Sequence, residues 1–379
     1  MKVSMLAESY LPLIGGAELH IYYLTRELLK LNHDIRLFTN TIEDCPSDFP
    51  VTRVPWKPSL QGLLNHHQKL TGFCSEANLV HSHYSHRLSA MAVPVCKKLR
   101  LPLVLTLHGL GTLDREYYPF FNRLTYKFFR RYSLEAADAI ISTSPELTGV
   151  AQRFAPKEKV FDIPNGVDTA LFAPPRNQAR KASSERIVLA VRRLVPKTGI
   201  QFLVEAIPGI LREAPETRFV IIGDGPLAAS LKQRVLELGV NEHVSFRGAI
   251  QNEDLTPFFA QADVVVFPSS AESTSLSCLE AMSMQKAVVA SAVGAFPGLL
   301  GDDERGMLVD LFDSHASNYL PPASLPVEKI NALSEAIAGL LGDDARKSRL
   351  GRAAREYVVK NHDWGVIAKK TLEVYESVM

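Results

Sequence analysis

Short apolar runs alternate along the chain with longer segments in which apolar residues recur at helical spacing. Such alternation is typical of parallel sheets covered by helices. In the first half it predicts helices notably at 17–32, 86–99 and 120–136. The strands predicted around them lie near 2–7, 35–39, 79–81, 103–107, 139–142 and 160–163. The first half is therefore predicted to be an α/β domain.

A second α/β series follows a polar segment at 173–185, whose Pro-Pro pair indicates a linker. Its strand-like runs are Ile187–Val191, Arg218–Ile222, Val244–Phe246, Val264–Phe267 and Ala287–Ser291. Its helices fit near 198–213, 226–238, 253–261, 276–284, 328–341 and 343–360. Residues 312–326 contain three prolines and predict a long loop. The whole pattern predicts two doubly wound, Rossmann-like domains facing across a cleft, where ligands bind in such folds.

The composition fits two globular domains and narrows the class of protein. The 379 residues exceed the size of a single core, and 46% are hydrophobic and 22% charged. A net charge of +1 gives no indication of nucleic-acid binding. No apolar stretch reaches the length of a membrane span, and the first residues do not resemble a signal peptide. The four cysteines form no C-x-x-C pair, which favours reduced thiols and a cytoplasmic protein.

Glycine-rich and basic turns follow several of the predicted strands. Gly15 and Gly16 open the first helix, whose free amides suit a phosphate group. Cations at the end of a strand can hold a diphosphate, and the second series begins with such a turn. It contains Arg192, Arg193 and Lys197. Gly223 lies in a further turn that can pass close beneath a ligand. For each of these segments an ordinary structural turn is the alternative.

Two carboxylates and one histidine complete the candidate chemistry. Glu272 and Glu280 stand eight residues apart, with a Ser/Thr run between them that suits a loop entering a helix. The loop amides can meet phosphates, and each carboxylate can accept hydrogen bonds from sugar hydroxyls. His108 ends a predicted strand and can orient a hydroxyl or a phosphate. The alternatives are a helix cap with one exposed glutamate, and a histidine that only caps a strand.

Taken together, these segments resemble the family 4 glycosyltransferases over nearly the whole chain. Glu272 to Glu280, with the Ala-Met that follows, matches the Glu-x7-Glu motif. Ile163–Asp168, Gly223–Pro226 and Ala262–Ser269 match further signatures of the family. The resemblance implies a GT-B fold and a retaining hexosyltransferase that uses a UDP- or GDP-sugar. It implies no metal and no other cofactor.

The resemblance also implies domains and residue roles. Residues 1–172, with a crossover helix at about 362–379, would bind the acceptor, and 186–361 would bind the donor. Arg193 and Lys197 would hold the diphosphate, Glu272 the transferred sugar near hydroxyls 3 and 4, and Glu280 the ribose. His108 would lie at the sugar and help stabilise the transition state. The remaining donor contacts would come from Gly15, Gly16, Arg192, Gly223, Gly248, Ser275, Leu276 and Ser277.

Three features depart from the family pattern. The lysine usually lies five residues after the arginine, whereas Lys197 is four after Arg193 and Thr198 takes the usual place. The choice between Arg192 and Arg193 as the diphosphate partner therefore stays open. The Glu-x7-Glu loop often carries Gly-Phe-Gly, but here it reads Ser-Thr-Ser, which offers hydroxyls and less freedom. The segment at 312–326 is also longer than the family pattern suggests.

Residues 115–132 combine aromatic and basic side chains and bear on the acceptor. At helical spacing Phe121, Leu124, Phe128 and Tyr132 form one stripe, with cations mostly elsewhere. One interpretation is an internal helix whose aromatic residues pack in the core. The other is peripheral contact with anionic lipid at the inner face of the membrane. In that case the acceptor would be lipid-linked; otherwise it is a glycan or a small molecule.

Other functions remain as alternatives. Within GT-B enzymes these are a nucleotide-sugar epimerase and a disaccharide-type synthase with a soluble acceptor. A dehydrogenase is disfavoured because the chain lacks G-x-G-x-x-G and the acidic ribose partner that follows it. A protein that binds nucleotide-sugars without catalysis is the third alternative, against which Glu272, Glu280 and His108 argue.

Overall fold

The computed structural model describes all residues except 14, 85, 110–119, 176–184, 302 and 313–320, and for 120–124 only the backbone. The described chain divides into two compact units. The first consists of Met1–Gly166 and Trp364–Met379, and the second of Val167–Asp363.

The first unit is a parallel sheet covered by helices. Within the described residues it has seven strands, in the order β3-β2-β1-β4-β5-β6-β7. These strands are Lys2–Ala7 (β1), Asp34–Thr39 (β2), Val51–Arg53 (β3), Leu79–His83 (β4), Leu103–Leu107 (β5), Ala139–Ser142 (β6) and Val160–Asp162 (β7). Its first five helices are Gly16–Lys30 (α1), Leu60–Cys74 (α2), Arg87–Leu99 (α3), Phe120–Ala136 (α4) and Pro145–Ala151 (α5).

The second unit repeats this architecture. Its described strands form a six-stranded parallel sheet in the order β10-β9-β8-β11-β12-β13. The strands are Arg186–Val191 (β8), Thr217–Ile222 (β9), Val244–Phe246 (β10), Val264–Phe267 (β11), Ala287–Ser291 (β12) and Met307–Val309 (β13). The helices are Ile200–Glu213 (α6), Ala228–Glu237 (α7), Thr256–Gln261 (α8), Leu276–Ser283 (α9), Phe296–Leu300 (α10), Val327–Gly342 (α11) and Asp344–Asn361 (α12). The last helix, Trp364–Ser377 (α13), belongs to the first unit.

The central strands are apolar because helices cover both faces of each sheet. All four residues of β11 are fully buried. On one face of the second sheet the core is built with α6 and α11, including Leu203 and Ile337. On the other face it is built with α8, α9 and α12, including Phe259 and Ala354. The predicted architecture of two Rossmann-like α/β domains is confirmed.

Both sheets reverse their strand order next to the first strand of the series. The reversal lies between β1 and β4 in the first sheet and between β8 and β11 in the second. At such a point the loops at the carboxyl ends of the strands diverge and leave a crevice, which is where open α/β sheets bind ligands. A ligand site in each unit is therefore expected at this reversal point.

The structure differs from the predicted boundaries at the start of the second unit. The sequence assigned residues up to 172 to the first domain, but Val167 and Phe172 pack in the core of the second unit. Arg355 in α12 donates a hydrogen bond to the Phe172 carbonyl at 3.1 Å. Asp363 pairs with Val167 within the second unit, and the first unit resumes at Trp364. Most of the predicted linker and of the 312–326 loop lies outside the described residues.

Candidate functional site

In the second unit, Arg192 and Glu272 form an ion pair at the reversal point of the sheet. Arg192 directly follows β8, and Glu272 lies in the loop between β11 and α9. The Arg192 guanidinium also donates to the hydroxyls of Ser275 at 2.8 Å and Ser269 at 2.9 Å. The two charged side chains are 11% and 13% exposed. Arg192 therefore fixes the position of the Glu272 carboxylate.

Two glycines allow the backbone to pack closely around this ion pair. A Cβ at Gly223, whose φ is +134°, would lie 1.8 Å from the Arg192 carbonyl oxygen. A Cβ at Gly294, whose φ is +57°, would lie 1.9 Å from the carbonyl oxygen of Glu272. Both positions exclude a side chain by contact as well as by conformation. Gly223 also donates its amide to the carbonyl of Gly248 at 2.7 Å, which joins two of the predicted donor-site segments.

Arg193 and Lys197 lie in the same turn but differ from Arg192 in their contacts. Arg193 is exposed and Lys197 is half-buried. Of the described residues, none forms a hydrogen bond or ion pair with either of these two side chains. The Lys197 carbonyl accepts the Ser270 amide at 2.8 Å, which ties this turn to the Glu272 loop. The structure thus places two cations beside the ion pair, available to an anion.

Glu280 lies in α9 and is buried. Its Oε1 accepts a hydrogen bond from the Asn252 side chain at 2.6 Å, and its Oε2 is buried without a partner. Burial raises the pKa of this carboxyl from 4.5 to about 7, against the lowering effect of the Asn252 hydrogen bond. Ser275 caps the helix by accepting the Cys278 amide at 3.3 Å. Leu276 and Ser277 occupy its first turn, Leu276 as the first residue of the helix.

In the first unit, His108 directly follows β5 and belongs to a cluster of imidazoles. Its Nε2 is hydrogen-bonded to Nδ1 of His83, the last residue of β4, at 2.9 Å. The ring of His20 in α1 lies edge-on to the His108 ring, with their centroids 4.6 Å apart. The Nδ1 of His20 is hydrogen-bonded to the Asn165 side-chain oxygen at 2.8 Å.

A fourth histidine continues the cluster into the core. His81 is hydrogen-bonded to the Tyr375 hydroxyl at 2.6 Å and to the Thr106 hydroxyl at 2.7 Å. Burial lowers the pKa of His20 to about 4 and that of His81 to about 3. Burial, with the neighbouring histidines, also holds the pKa values of His83 and His108 well below the ordinary range. All four imidazoles are therefore neutral at pH 7.

Sequence reasoning identified His108 but missed its partners. His81 and His83 stand two apart in a strand, so they share one face of the sheet, and this spacing was the available signal. His20 and Asn165 are 145 positions apart, and no local pattern joins them. Asn252, the partner of Glu280, was missed for the same reason.

The Gly15-Gly16 turn follows β1 at the carboxyl edge of the first sheet. α1 begins at Gly16, and no side chain of the described residues caps its first amides. The first turn also contains Glu18, whose carboxylate accepts the hydroxyl of Ser9 at 2.5 Å. The helix start is thus open at its backbone amides but carries an acidic side chain beside them.

The aromatic and basic segment at 115–132 is described in part. Residues 115–119 and the side chains of 120–124, including Phe121 and Leu124, lie outside the described residues. Phe128 is 63% exposed and its ring stacks on that of Tyr132. Lys127 and Arg131 are exposed beside it. Further along α4, Leu134 is buried in the core, so the end of the helix is internal and Phe128 is not. Within the described residues, no helix is both long and apolar enough to cross a bilayer.

Comparison with known protein families gives two matches that together cover most of the chain. Residues 14–171 match the model described as Glycosyltransferase Family 4. Residues 174–318 match the model described as Glycosyl transferases group 1.

Curated relatives and solved structures agree with these matches. A phosphatidylinositol N-acetylglucosaminyltransferase chain of Arabidopsis thaliana is 26% identical, over 100% of this chain and 82% of its own. GDP-mannose-dependent alpha-(1-6)-phosphatidylinositol monomannoside mannosyltransferase of Mycolicibacterium smegmatis is 32% identical, over 56% of this chain and 55% of its own. Among solved structures, Anabaena HepE in complex with UDP and glucose superposes with a TM-score of 0.79 at 20% identity, covering 100% of both chains. The last likeness concerns the fold.

Proposed function

Because this chain belongs to the family 4 glycosyltransferases, we propose that it transfers a hexosyl group from a UDP- or GDP-sugar, with retention of anomeric configuration. The chain has the GT-B type of fold. The observation that carries the donor assignment is the placement of Arg193, Lys197 and Glu280. Two cations available to an anion and a buried carboxylate oxygen without a partner lie in loops and a helix at one reversal point.

The diphosphate is held by Arg193 and Lys197 rather than by Arg192. The Arg192 guanidinium is engaged with Glu272, Ser269 and Ser275, so turning it toward a phosphate would leave Glu272 without its partner. Arg193 and Lys197 have no such commitment among the described residues. As the sugar departs, negative charge grows on the leaving diphosphate, and fixed cations stabilise that charge most. The same cations therefore bind the donor and promote transfer.

The two glutamates have separate roles. Glu272, held by Arg192, accepts hydrogen bonds from hydroxyls 3 and 4 of the transferred sugar. Glu280 accepts from the ribose through its Oε2, which is buried and has no partner. Gly223 and Gly248 shape the floor beneath the nucleotide, with the base stacked near Gly248. The amides of Leu276 and Ser277 and the Ser275 hydroxyl complete the phosphate contacts.

Retention follows from attack on the face that the diphosphate leaves, with a diphosphate oxygen taking the acceptor proton. No metal ion is assigned to this step because the cations balance the leaving-group charge. The neutral imidazole of His108 meets the transferred sugar, and Gly15 and Gly16 present backbone amides to phosphate. These last roles rest on the family resemblance.

The acceptor is a lipid-linked molecule at the inner face of the membrane. Two relatives carry phosphatidylinositol in their names, and Phe128, Lys127 and Arg131 form an exposed apolar and basic patch on α4. An amphipathic surface of this kind docks on anionic headgroups. A glycan or a small soluble acceptor is the second candidate, favoured by the part of α4 that is internal.

The test is analysis of the product. The protein is incubated with UDP- and GDP-hexoses and a lipid extract, and the linkage is read by NMR. We expect an α-linked product from an α-configured donor, formed only when acceptor is present, and strongly reduced by Lys197→Ala. A β-linked product refutes retention, while conversion of the donor without acceptor identifies an epimerase. A soluble disaccharide as the product identifies a synthase.

A further inference from the structure

We propose that His20, His83 and His108 form a binding site for a divalent transition-metal ion of the zinc, nickel or copper class, and that the bound ion inhibits transfer. Each residue offers one ring nitrogen, and these three atoms lie within 4.8 Å of one another. Metal binding is a function separate from sugar transfer, and no metal is needed for the reaction proposed above.

The three imidazoles are supplied by rigid elements of the first unit. His83 is the last residue of β4, His108 follows β5, and His20 lies within the 15-residue helix α1. β4 and β5 are hydrogen-bonded neighbours in the sheet, with His83 paired to Thr106. Positions fixed in this way present ligands more precisely than positions in free loops.

The outer hydrogen bonds favour metal ligation. Histidine ligands commonly donate their second ring N–H to a carbonyl or carboxylate oxygen, which directs the lone pair of the other nitrogen to the metal. Asn165 Oδ1 holds Nδ1 of His20 in this manner, so the His20 lone pair is on Nε2. When His83 donates from Nδ1 to Nε2 of His108, the His83 lone pair is likewise on Nε2. That hydrogen bond occupies the lone pair of His108, so His108 becomes a ligand only when its Nε2 turns from His83 to the ion, while its proton stays on Nδ1.

The orphaned nitrogen of His83 is the second observation that points to a ligand. His83 is 1% exposed, and its Nε2 is buried without a hydrogen-bond partner among the described residues. A buried acceptor without a partner is uncommon in folded proteins. A metal ion would supply the missing partner, and a neutral imidazole is the protonation state that binds metal.

The ligand set selects the class of metal. Three imidazoles without a carboxylate suit zinc, nickel and copper, and they disfavour magnesium and calcium, which prefer oxygen. Metal–nitrogen bonds of about 2.0–2.1 Å place tetrahedral ligand nitrogens about 3.3 Å apart, so side-chain adjustment of about 1 Å is required. Three protein ligands leave a fourth position open to water or another ligand.

Inhibition follows from the shared residue, and this part rests on the proposed function. His108 is the imidazole assigned to the transferred sugar. Its lone pair cannot bind the metal ion and a sugar hydroxyl at the same time. A bound ion therefore competes with productive donor binding. Chelation restores transfer, whereas a metal-dependent enzyme loses activity on chelation.

The test uses full-length protein without an affinity tag, stripped of metal and titrated with Cu²⁺ and Zn²⁺. The ring centroids of Trp364 and His20 are 5.1 Å apart, so Cu²⁺ at the site quenches the Trp364 fluorescence. Trp56→Phe removes the other tryptophan and isolates that signal. We expect one equivalent to bind, with electron paramagnetic resonance showing coupling to three nitrogens.

Variants separate the site from adventitious binding. Asn165→Ala should weaken the affinity about 10- to 100-fold, as expected for an outer-shell partner. His83→Gln should weaken it further, whereas His67→Gln on the partly exposed face of α2 should leave it unchanged. If His83→Gln does not fold, as judged by circular dichroism, His20→Gln replaces it.

Two outcomes overturn the site. In the first, the wild type binds no ion tightly. In the second, the variants that lack one of the three histidines bind the ion as tightly as the wild type, which identifies an adventitious ion only. If the ion binds tightly and sugar transfer is unchanged, the proposed inhibition is wrong and the metal site is still supported. Tight binding in a protein that transfers no sugar supports the site and refutes the proposed function instead.

Discussion

Replacing Glu280 by glutamine should change stability and donor binding in opposite directions. The carboxyl is buried, and its pKa is raised from 4.5 to about 7 by the loss of solvent. The folded protein holds this proton more tightly than the unfolded chain. The free energy that protonated Glu280 contributes to stability is therefore fully present below pH 4.5. It is lost as the pH rises and reaches its minimum above about pH 7. A shift of this size corresponds to about 3 kcal/mol.

The glutamine side chain does not titrate, so the variant does not lose this stability as the pH rises. In the absence of ligand, Glu280→Gln should be more stable than the wild type by up to about 3 kcal/mol at pH 8. This raises the melting temperature by roughly 5–10 °C. The difference should disappear below about pH 4.5, where the carboxyl is neutral in both the folded and the unfolded wild type. The amide can still accept the hydrogen bond from Asn252, so the local packing is retained.

The affinity for the donor nucleotide should decrease in the variant. Hydrogen bonds to a charged group contribute about 1.5–3 kcal/mol, so the variant should bind nucleotide about 10- to 150-fold more weakly at pH 8. In the wild type, affinity should increase as the pH rises through 7, because the ionised carboxylate is the better acceptor. In the variant it should be independent of pH over that range.

Thermal unfolding from about pH 4 to 9 and calorimetric titration from about pH 6 to 9 measure the two effects. If the stability difference is the same at every pH, the pKa of Glu280 is the same in the folded and unfolded states, and burial does not raise it. If the variant binds nucleotide as tightly as the wild type, Glu280 does not contact the ribose.

Three further changes test the geometry. Gly223→Ala should lower the free energy of unfolding, measured in urea, by at least about 2 kcal/mol. Gly339→Ala, in a helix with open space around the glycine, should raise it by about 0.5–1 kcal/mol. Equal effects of the two variants contradict the close approach at Gly223. Glu272→Ala leaves its arginine partner uncompensated and should cost about 3 kcal/mol, which an unchanged urea midpoint would rule out. Phe128→Ser should reduce flotation with anionic vesicles about 10-fold. Val327→Ser, at the exposed start of α11, should not change it, and identical flotation of the two variants excludes α4 as the contact.

Much of the fold was predictable because its signals are local. The central strands are uninterrupted apolar runs, such as Val264–Phe267, and the predicted and observed bounds of that strand coincide. The elements that were missed carry weak or mixed patterns. α2 has exposed leucines at its start, including Leu60 and Leu64, and β3 and β13 are three residues long. Short edge strands depend on pairing with neighbours, which a window of sequence does not contain.

In the candidate site, too, the residues with local signals were predictable and those fixed by long-range contacts were not. Residues at strand ends, such as Arg192 and His108, were predictable because the end of an apolar run marks the edge of a sheet. Their partners were not, because contacts between residues far apart in the chain decide them. Arg192 pairs with Glu272 across 80 positions, and this pairing favours Arg193 in the choice that the sequence left open for the proposed diphosphate role. His20 meets Asn165 across 145 positions.

We propose above all that the second unit binds a nucleoside diphosphate-sugar through Arg193, Lys197 and Glu280. Such binding is tested most directly by calorimetric titration of UDP, GDP and ADP into the wild type and Lys197→Ala, with Lys232→Ala on α7 as a matched control. We predict that one nucleotide binds the wild type and the control equally, and that Lys197→Ala binds it about 10- to 100-fold more weakly. Binding of no nucleotide, or equal binding to all three proteins, would contradict it.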